Sequence, residues 1–357
     1  PGILIWRALL QWLGGVGIVV MAMAVLPMLS VGGMQLFRTE SYERAENVVP
    51  RATQLAGGIG LVYTGLTALW AVMLALAGMD MFDAVAHSMT TLATGGYSTR
   101  TASIGAFESV AVEWIIITGM IVGSLPFAHY LAIVRGGWRS LLNDPQVRCF
   151  LILAVGLVLL LIGHLMQTGL GFGEAVRQAS FNGISIMTGT GYVSANFSAW
   201  GGFATTILLI VMFIGGCGGS TTCGIKVFRL QVLASAAKVQ ISRLLRPHAV
   251  VLAYYNKRPV SVEVMDSVMG FFYLFILGFV LIAIMLGMAG LDFVTALSGA
   301  ATSISNVGPG LGEVIGANGN FSTLPNSAKW IMSFAMLLGR LEIFTVLVML
   351  NPAFWQR

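Results

Sequence analysis

Charged side chains are scarce in this sequence. Only 9% of its 357 residues are Asp, Glu, Lys or Arg, whereas 57% are hydrophobic. Soluble domains usually carry about 25% charged residues, so the composition excludes an ordinary soluble globular protein. Apolar runs recur throughout the chain, and about 20 apolar residues suffice for one membrane crossing. We predict an all-α polytopic membrane protein, with spans near residues 3–29, 55–79, 110–134, 149–168, 206–233, 265–289 and 329–350.

Cysteine and histidine are also rare. The three cysteines, Cys149, Cys217 and Cys223, are too few and too irregularly spaced for a disulfide framework. In apolar segments a free thiol packs as a small hydrophobic group. The four histidines show no metal-ligand spacing, so we expect no transition-metal site and assign them to packing or solvent exposure; they are His87, His129, His164 and His248. An intramembrane serine protease would need a Ser–His pair, and no histidine is paired in sequence with Ser220. We therefore predict that the protein is not an enzyme.

The net charge of +5 is distributed unevenly between the predicted loops. Three connections are rich in basic residues: Arg38, Arg44 and Arg51; Arg135, Arg139 and Arg148; and Lys226, Arg229, Lys238, Arg243, Arg246, Lys257 and Arg258. The intervening loops contain a single basic residue, Arg100. Because Lys and Arg near span ends mark the cytoplasmic side, the charge is a topology signal and not a nucleic-acid patch. The run from Lys226 to Arg258 is also suited to lipid headgroups or an acidic partner.

A segment of the sequence is repeated three times. The window from Ala84 to Tyr97 aligns without gaps after shifts of 95 and 212 residues, giving windows at 179–192 and 296–309. Each window follows one predicted span and precedes another, and its roughly 12–14 residues fit a re-entrant half-helix. Parallel repeats of this kind occur in transporters, and four would enclose a pore with pseudo-fourfold symmetry. The predicted units are 1–37 (second span of repeat 1, whose first half would precede Pro1), 38–148, 149–258 and 259–357.

Each repeat ends in a short loop that contains glycine. The three loops are Thr94-Gly95-Gly96-Tyr97, Gly189-Thr190-Gly191-Tyr192 and Asn306-Val307-Gly308-Pro309. Glycine permits backbone angles that turn successive carbonyls towards one axis, and rings of carbonyls can replace the hydration shell of a cation. The negative end of each half-helix would favour the same cation. We predict that these loops form an ion filter, with threonine hydroxyls as further ligands and the tyrosines bracing the loops from behind.

Two further features are unusual for membrane-spanning helices. Gly215, Gly216, Gly218 and Gly219 fall within one predicted span, which should break there because glycine costs roughly 1 kcal/mol relative to alanine in a helix. Arg340 lies in the middle of the last predicted span, where a charge is costly unless paired or hydrated. We predict that the glycines form a flexible intramembrane loop and that Arg340 donates hydrogen bonds to its carbonyls and holds it closed. A packing kink and a buried ion pair are the respective structural alternatives.

The repeated unit, with the motifs ATGGYST, MTGTGYVS and SNVGPGLG, resembles the Trk/Ktr/HKT superfamily of cation transporters. The segments WRALLQWLGGVGIVVMAMAVLPML and VGGMQLFR are similar to the bacterial Trk branch (TrkH/TrkG-like subunits). The resemblance implies potassium as the transported ion, a single-chain pore in the bacterial inner membrane, a homodimer and a cytosolic nucleotide-binding regulatory subunit of the TrkA kind. It also implies that Gly215, Gly216, Gly218 and Gly219 form a gate beneath the filter, with Arg340 as its latch, and that two helices and a first filter precede Pro1. A sodium or non-selective cation pore, or a secondary transporter of an organic solute, remains the alternative.

Overall fold

The computed structural model describes residues 1–24, 48–134, 136–137, 139–249, 251–256, 258–341, 343–350 and 352. The end of the first predicted span, the VGGMQLFR segment and the basic residues Arg38, Arg44, Arg135 and Lys257 lie outside these residues, as does Glu342. The helices of the described first half are α1 (Gly2–Ala24), α2 (Val48–Leu76), α3 (Met81–Leu92), α4 (Val110–Gly123), α5 (Phe127–Val134), α6 (Arg139–Asn143), α7 (Pro145–Gln167) and α8 (Phe172–Met187).

The second half continues with the same architecture. Its helices and one small hairpin are α9 (Gly202–Val211), α10 (Val227–Leu245), strands β1 (Tyr254–Tyr255) and β2 (Arg258–Pro259), α11 (Val262–Met288), α12 (Phe293–Ser305), α13 (Asn326–Arg340) and α14 (Ile343–Leu350). Three short 3-10 helices lie at Ser103–Phe107, Phe197–Ala199 and Phe321–Thr323. The two strands pair antiparallel, with Tyr254 opposite Pro259. The fold is helical, as predicted.

Four helices of the described chain are long and apolar enough to cross a membrane. They are α1, the part of α2 from Ala56 to Leu76, α7 and α11. Large hydrophobic side chains on α11 are exposed at the protein surface, among them Tyr273, Leu281 and Ile284. Because hydrocarbon takes the place of water around a membrane protein, such a surface suits contact with lipid. These helices agree with four of the predicted spans.

The single span predicted over 110–134 is wrong. The structure divides it into α4 and α5, which are bent by 95° across the residues between them. The break has a local cause at Pro126, directly before α5 begins. Proline has no backbone N–H and its ring clashes with the preceding helical turn, so α4 cannot continue through it. His129, predicted to lie within a straight span, is on α5 after the bend.

Two other predicted spans also correspond to two helices each. The span predicted over 206–233 becomes α9 and α10, joined by the irregular residues 212–226, which we call the glycine loop. This break confirms the prediction from its clustered glycines. The span predicted over 329–350 is described as α13 and α14, which lie on either side of Leu341 and of Glu342, the latter outside the described residues. Gly339 in the last turn of α13 lowers the helical propensity at that point.

The three short helices α3, α8 and α12 occupy the repeated windows. Each packs against the long helix that precedes it: α3 on α2, α8 on α7 and α12 on α11. Side chains of Asp80 and Asp292 cap the first turns of α3 and α12 by accepting backbone N–H bonds. Small buried residues such as Gly299 and Ala300 let α12 sit deep in the protein. Each half-helix ends where its glycine-containing loop begins.

Candidate functional site

The three predicted filter loops share one backbone conformation. Their first residues have positive φ values of 46° at Thr94, 69° at Gly189 and 56° at Asn306. Their third residues also have positive φ values, 74° at Gly96, 79° at Gly191 and 109° at Gly308. The second residues, Gly95, Thr190 and Val307, are not in this left-handed region. Alternation of the two conformations turns successive carbonyls towards a common side, which is the geometry that a carbonyl-lined filter needs.

The loops are tied to their half-helices by equivalent hydrogen bonds. The backbone N–H of the second loop residue donates to a carbonyl five residues earlier, at 2.9 Å for Gly95 to Thr90, 2.9 Å for Thr190 to Ser185 and 3.0 Å for Val307 to Thr302. The hydroxyls of these three half-helix residues bind the end of the loop. Thr90 Oγ1 donates to the Tyr97 carbonyl at 2.9 Å, Ser185 Oγ donates to the Tyr192 carbonyl at 2.7 Å, and Thr302 Oγ1 accepts from the Gly308 N–H at 2.9 Å.

Sequence reasoning did not select Thr90, Ser185 and Thr302 as site residues. A signal was present, because a hydroxyl side chain occupies this aligned position in every copy of the repeat. Each hydroxyl bonds the loop of its own unit, and Thr90 Oγ1 also lies 2.5 Å from the Tyr192 hydroxyl of the next repeat, so the three residues help to fix the shape of the loops. They are the supporting residues of the predicted filter.

Adjacent loops are in direct contact through glycine. A Cβ atom added at Gly96 would overlap the carbonyl oxygen of Thr190, and one added at Gly191 would overlap the carbonyl oxygen of Val307. At Gly308 the nearest atom to such a Cβ is Gly191 Cα, 3.9 Å away. The third residue of one loop therefore lies against the second residue of the next. The structure brings all three predicted loops together in sequence order.

The two loop tyrosines have different environments. Tyr192 is fully buried, and its hydroxyl lies 2.5 Å from Thr90 Oγ1 of the preceding repeat. It braces the loop from behind, as predicted. Tyr97 is 42% exposed, and the guanidinium of Arg7 lies 4.3 Å from its ring centre, so its ring does not share the buried position of Tyr192. Instead, α1 contacts this loop through Gln11, whose Nε2 donates to the Gly95 carbonyl at 2.6 Å.

Tyr192→Phe should destabilise the protein by about 1 kcal/mol, because it removes a buried hydrogen-bonding hydroxyl and leaves the Thr90 hydroxyl less well satisfied. The measurement is the thermal unfolding midpoint in one detergent. Tyr97→Phe is the matched control, since the Tyr97 ring is exposed and its change should leave the midpoint within error. Equal shifts in the two variants would show that the contact with Thr90 does not stabilise the fold.

The glycine loop lies against the loop 94–97 and the end of α3. Thr221 Oγ1 donates to the carbonyls of Leu92 and Gly123 at 3.0 and 2.9 Å and lies 3.1 Å from Thr94 Oγ1. The residues from Gly215 to Thr222 are buried. Since α4 ends at Gly123, before Pro126, its last carbonyls have no partner in a following helical turn, and the loop uses them: the Cys217 N–H donates to the carbonyl of the C-cap residue Ser124 at 2.9 Å. The break in α4 thus provides the docking site of the loop.

Arg340 contacts the glycine loop from the last turn of α13. Its Nη1 lies 2.7 Å from Cys223 Sγ and 3.4 Å from the Thr221 carbonyl, while Nη2 donates to the Gly14 carbonyl of α1 at 3.2 Å. One guanidinium therefore connects α13, the loop and α1. The structure brings Arg340 together with the loop as predicted, although its contacts are with residues 221 and 223 and not with the four predicted glycines.

Acidic residues lie at the starts of the half-helices, before the filter loops. Asp292 caps α12, and hydrogen bonds from the side chain and backbone of Thr295 hold the pKa of its carboxyl below the ordinary value of 3.8. Asp83 in the first turn of α3 is paired with Arg100 at 2.6 Å. The predicted loop topology puts these positions on the side away from the basic loops. A carboxylate there attracts cations to the filter side of the protein.

Comparisons with known proteins agree with this architecture. A family model described as TrkH, cation transport protein, matches residues 2–357. The chain is 44% identical to the Trk system potassium uptake protein TrkI of Halomonas elongata, covering 100% of this chain and 73% of that protein. It is 37% identical to the Trk system potassium uptake protein TrkH of Escherichia coli, covering 99% of this chain and 74% of that protein.

A solved structure shows the same fold. The crystal structure of the potassium transporter TrkH from Vibrio parahaemolyticus matches with a TM-score of 0.88 and 36% identity, covering 99% of this chain and 73% of that chain. These relatives are transporters and not enzymes. With its helical membrane fold and repeated half-helices, the chain belongs to the TrkH family of cation transport proteins.

Proposed function

We propose that this protein takes up potassium ions through a pore whose filter includes the backbone carbonyls of residues 94–97, 189–192 and 306–309. The observation that carries the proposal is the shared backbone of the three loops, with left-handed residues at the first and third positions of each. Carbonyl oxygens in such an arrangement can replace the water around a monovalent cation. The relatives named as potassium uptake proteins support potassium as the ion.

The same proposal includes a gate. In this proposal the buried glycine loop, with Gly215, Gly216, Gly218 and Gly219, closes the path beneath the filter loops, and the contacts of Thr221 with Leu92, Thr94 and Gly123 support that role. Arg340 holds it by the contacts to Thr221 and Cys223. Its positive charge also opposes a cation at that depth. Opening requires the loop to leave the carbonyls of Gly123 and Ser124, and hydrogen bonds of this kind contribute about 0.5–1.5 kcal/mol each, so the closed state can be reversed.

The partners expected from the resemblance are part of the proposal. The protein would act as a homodimer in the bacterial inner membrane, surrounded by lipid, with a cytosolic nucleotide-binding subunit on its basic face. Lys238 and Arg243 on α10 and Arg246 at its C-cap lie in a segment without acidic residues from 226 to 258. An acidic surface on the regulatory subunit would complement this charge. The division of the chain into four repeat units belongs to the same hypothesis. Potassium is the ion transported in it.

The deciding experiment is the reversal potential in a planar lipid bilayer, with potassium on one side and sodium on the other. We expect the potential to shift towards the potassium equilibrium value. A reversal near zero would leave a cation pore without potassium selectivity. If no ionic current appeared and uptake depended instead on an organic solute, the result would contradict the proposed pore and favour a secondary transporter.

A further inference from the structure

The glycine loop has a second set of contacts, separate from those with Arg340. The backbone N–H of Phe127, the first residue of α5, donates to the Gly219 carbonyl at 3.0 Å. The side-chain Oε1 of Gln146, in the first turn of α7, accepts from the Gly218 N–H at 2.9 Å. Phe127 and Gln146 are both buried. Two consecutive residues of the loop are therefore fixed to two different helices, and the position of the loop depends on how those helices are held together.

An ion pair joins these two helices close to the loop. His129, two residues after Phe127, has its Nε2 2.5 Å from Asp144 Oδ2. Asp144 is the N-cap of α7, and its Oδ1 accepts the N–H of Gln146 at 2.7 Å. The Nδ1 of His129 lies 2.8 Å from Ser140 Oγ. Hydrogen bonds and short chain segments thus form a closed path from Gly219 through α5, the ion pair and α7 back to Gly218.

We propose that His129 and Asp144 are positioning residues for the gate: they clamp α5 to α7 and so keep the glycine loop beneath the filter, and a proton on His129 tightens the clamp. The proposal rests on the gating role proposed above for the glycine loop. It goes further by assigning a second set of contacts that fixes the loop and by making those contacts depend on pH. The relevant pH is that of the cytoplasmic side, where the basic loops place α6 and the start of α7.

The direction of the proton effect follows from the chemistry of imidazole. Neutral and protonated His129 can both keep the contact with Asp144, but only the imidazolium adds attraction between opposite charges. Hydrogen bonds between charged groups are roughly twice as strong as neutral ones. Histidine is the side chain that ordinarily changes charge between about pH 5 and 8. A fall in cytoplasmic pH should therefore favour the closed gate and reduce cation flux.

Other charged or titratable groups surround the pair on each packed element. They are Tyr130 on α5, Arg139 on α6, Arg148 and Cys149 on α7, and Cys217 and Lys226 in the glycine loop. Several already have partners: Arg148 Nε donates to the Leu142 carbonyl at 2.7 Å, and the Tyr130 hydroxyl donates to the Val122 carbonyl at 2.7 Å. Arg, Lys, Tyr and Cys side chains ordinarily titrate above about pH 8.

Asp144→Asn is the most selective test variant. Asparagine is as good an N-cap as aspartate, so the start of α7 should survive while the charge of the pair is lost. His129→Gln removes the other charge and keeps a hydrogen-bond donor. His164→Gln is the matched control, because His164 lies at the other end of α7 and binds the Trp200 carbonyl, away from the glycine loop. Thermal unfolding midpoints confirm that each variant is folded.

The first readout is potassium current in a planar bilayer while the pH on the cytoplasmic side alone is varied. We expect the parent and His164→Gln to lose current on acidification from about pH 8 to 5, whereas Asp144→Asn and His129→Gln should show a flat profile. At the acidic end, the current of each variant should exceed the current of the parent by about fivefold. This is the factor that about 1 kcal/mol gives. A purely structural role would change the current without flattening the profile.

The second readout is the alkylation rate of Cys217, determined by mass spectrometry of the labelled peptide. Cys217 is buried in the glycine loop, and Cys149 on α7 provides an internal reference. Loss of the clamp should raise the Cys217 rate relative to Cys149. Parent-like pH profiles and labelling in both folded variants would overturn the clamp. If Arg340→Ala still raised the current in that case, the gate itself would stand; if it did not, the gate proposal would fail as well.

Discussion

Gly191→Ala should abolish potassium uptake. Gly191 has a φ of 79°, a left-handed conformation that costs an alanine about 1–2 kcal/mol. The larger penalty is steric, because the new Cβ would overlap the Val307 carbonyl oxygen and lie 2.8 Å from Pro309 Cδ. Either the loop 189–192 or the loop 306–309 must move, and the carbonyls that would bind the ion lose their alignment. We expect at least a tenfold loss of rubidium uptake in proteoliposomes, the factor that about 1.4 kcal/mol gives.

The third residues of the loops form a graded series. Gly96→Ala should be as severe as Gly191→Ala, since its Cβ would overlap the Thr190 carbonyl. Gly308→Ala should be milder: the nearest atom would be 3.9 Å away, so the φ of 109° is the main cost. Gly163→Ala on α7 is the control, because nothing lies within 4 Å of its added Cβ. Full uptake by a folded Gly191→Ala variant would contradict the assignment of these loops as the filter.

Arg340→Ala should increase cation flux by about tenfold or more. The substitution removes the contacts with Thr221, Cys223 and Gly14 that tie the glycine loop to α13 and α1. Hydrogen bonds to charged groups contribute about 1.5–3 kcal/mol, and loss of one such bond changes an equilibrium by a factor of ten or more. The variant also removes a positive charge from the path of the ion. The measurement is single-channel open probability in a lipid bilayer.

Arg340→Lys separates the two effects. Lysine keeps the positive charge but lacks the planar fork of donors that spans the loop and α1, so its open probability should lie between those of the parent and Arg340→Ala. Lys329→Ala, on the first turn of the same helix, is the control; Lys329 Nζ bonds the Ser322 carbonyl, far along α13 from the latch. A folded Arg340→Ala variant that conducts less than the parent would rule out the latch.

The shared backbone of the three loops could be predicted from the sequence because its signal is local and repeated. Glycine recurs at the same position of each window, and the third residues of all three loops have the left-handed backbone that glycine favours. The break between α9 and α10 was likewise predicted from clustered glycines. Both features depend on backbone freedom, which can be recognised from residue type at a single position.

The contacts between distant segments could not be predicted in this way. Hydrophobicity continues without a gap through 110–134, so the pattern indicated a single span although Pro126 was present. His129 and Asp144 are 15 residues apart, and they meet because α5 turns by 95° from α4. Tyr97 and Tyr192 align in the repeat, yet one is exposed and the other buried, because their surroundings come from different neighbouring helices. Tertiary packing decides such features, and one sequence contains little local information about it.

The unequal ends of the three loops, Tyr97, Tyr192 and Pro309, have a consequence for how such a pore changes by mutation. In a channel of four identical subunits, each substitution appears four times around the axis. Here a substitution alters one wall of the proposed pore and leaves the others in place. The set of ligands around the ion is then asymmetric. Selectivity between ions can therefore evolve by single substitutions, each of which changes the ligands from one repeat and leaves those from the other repeats unchanged.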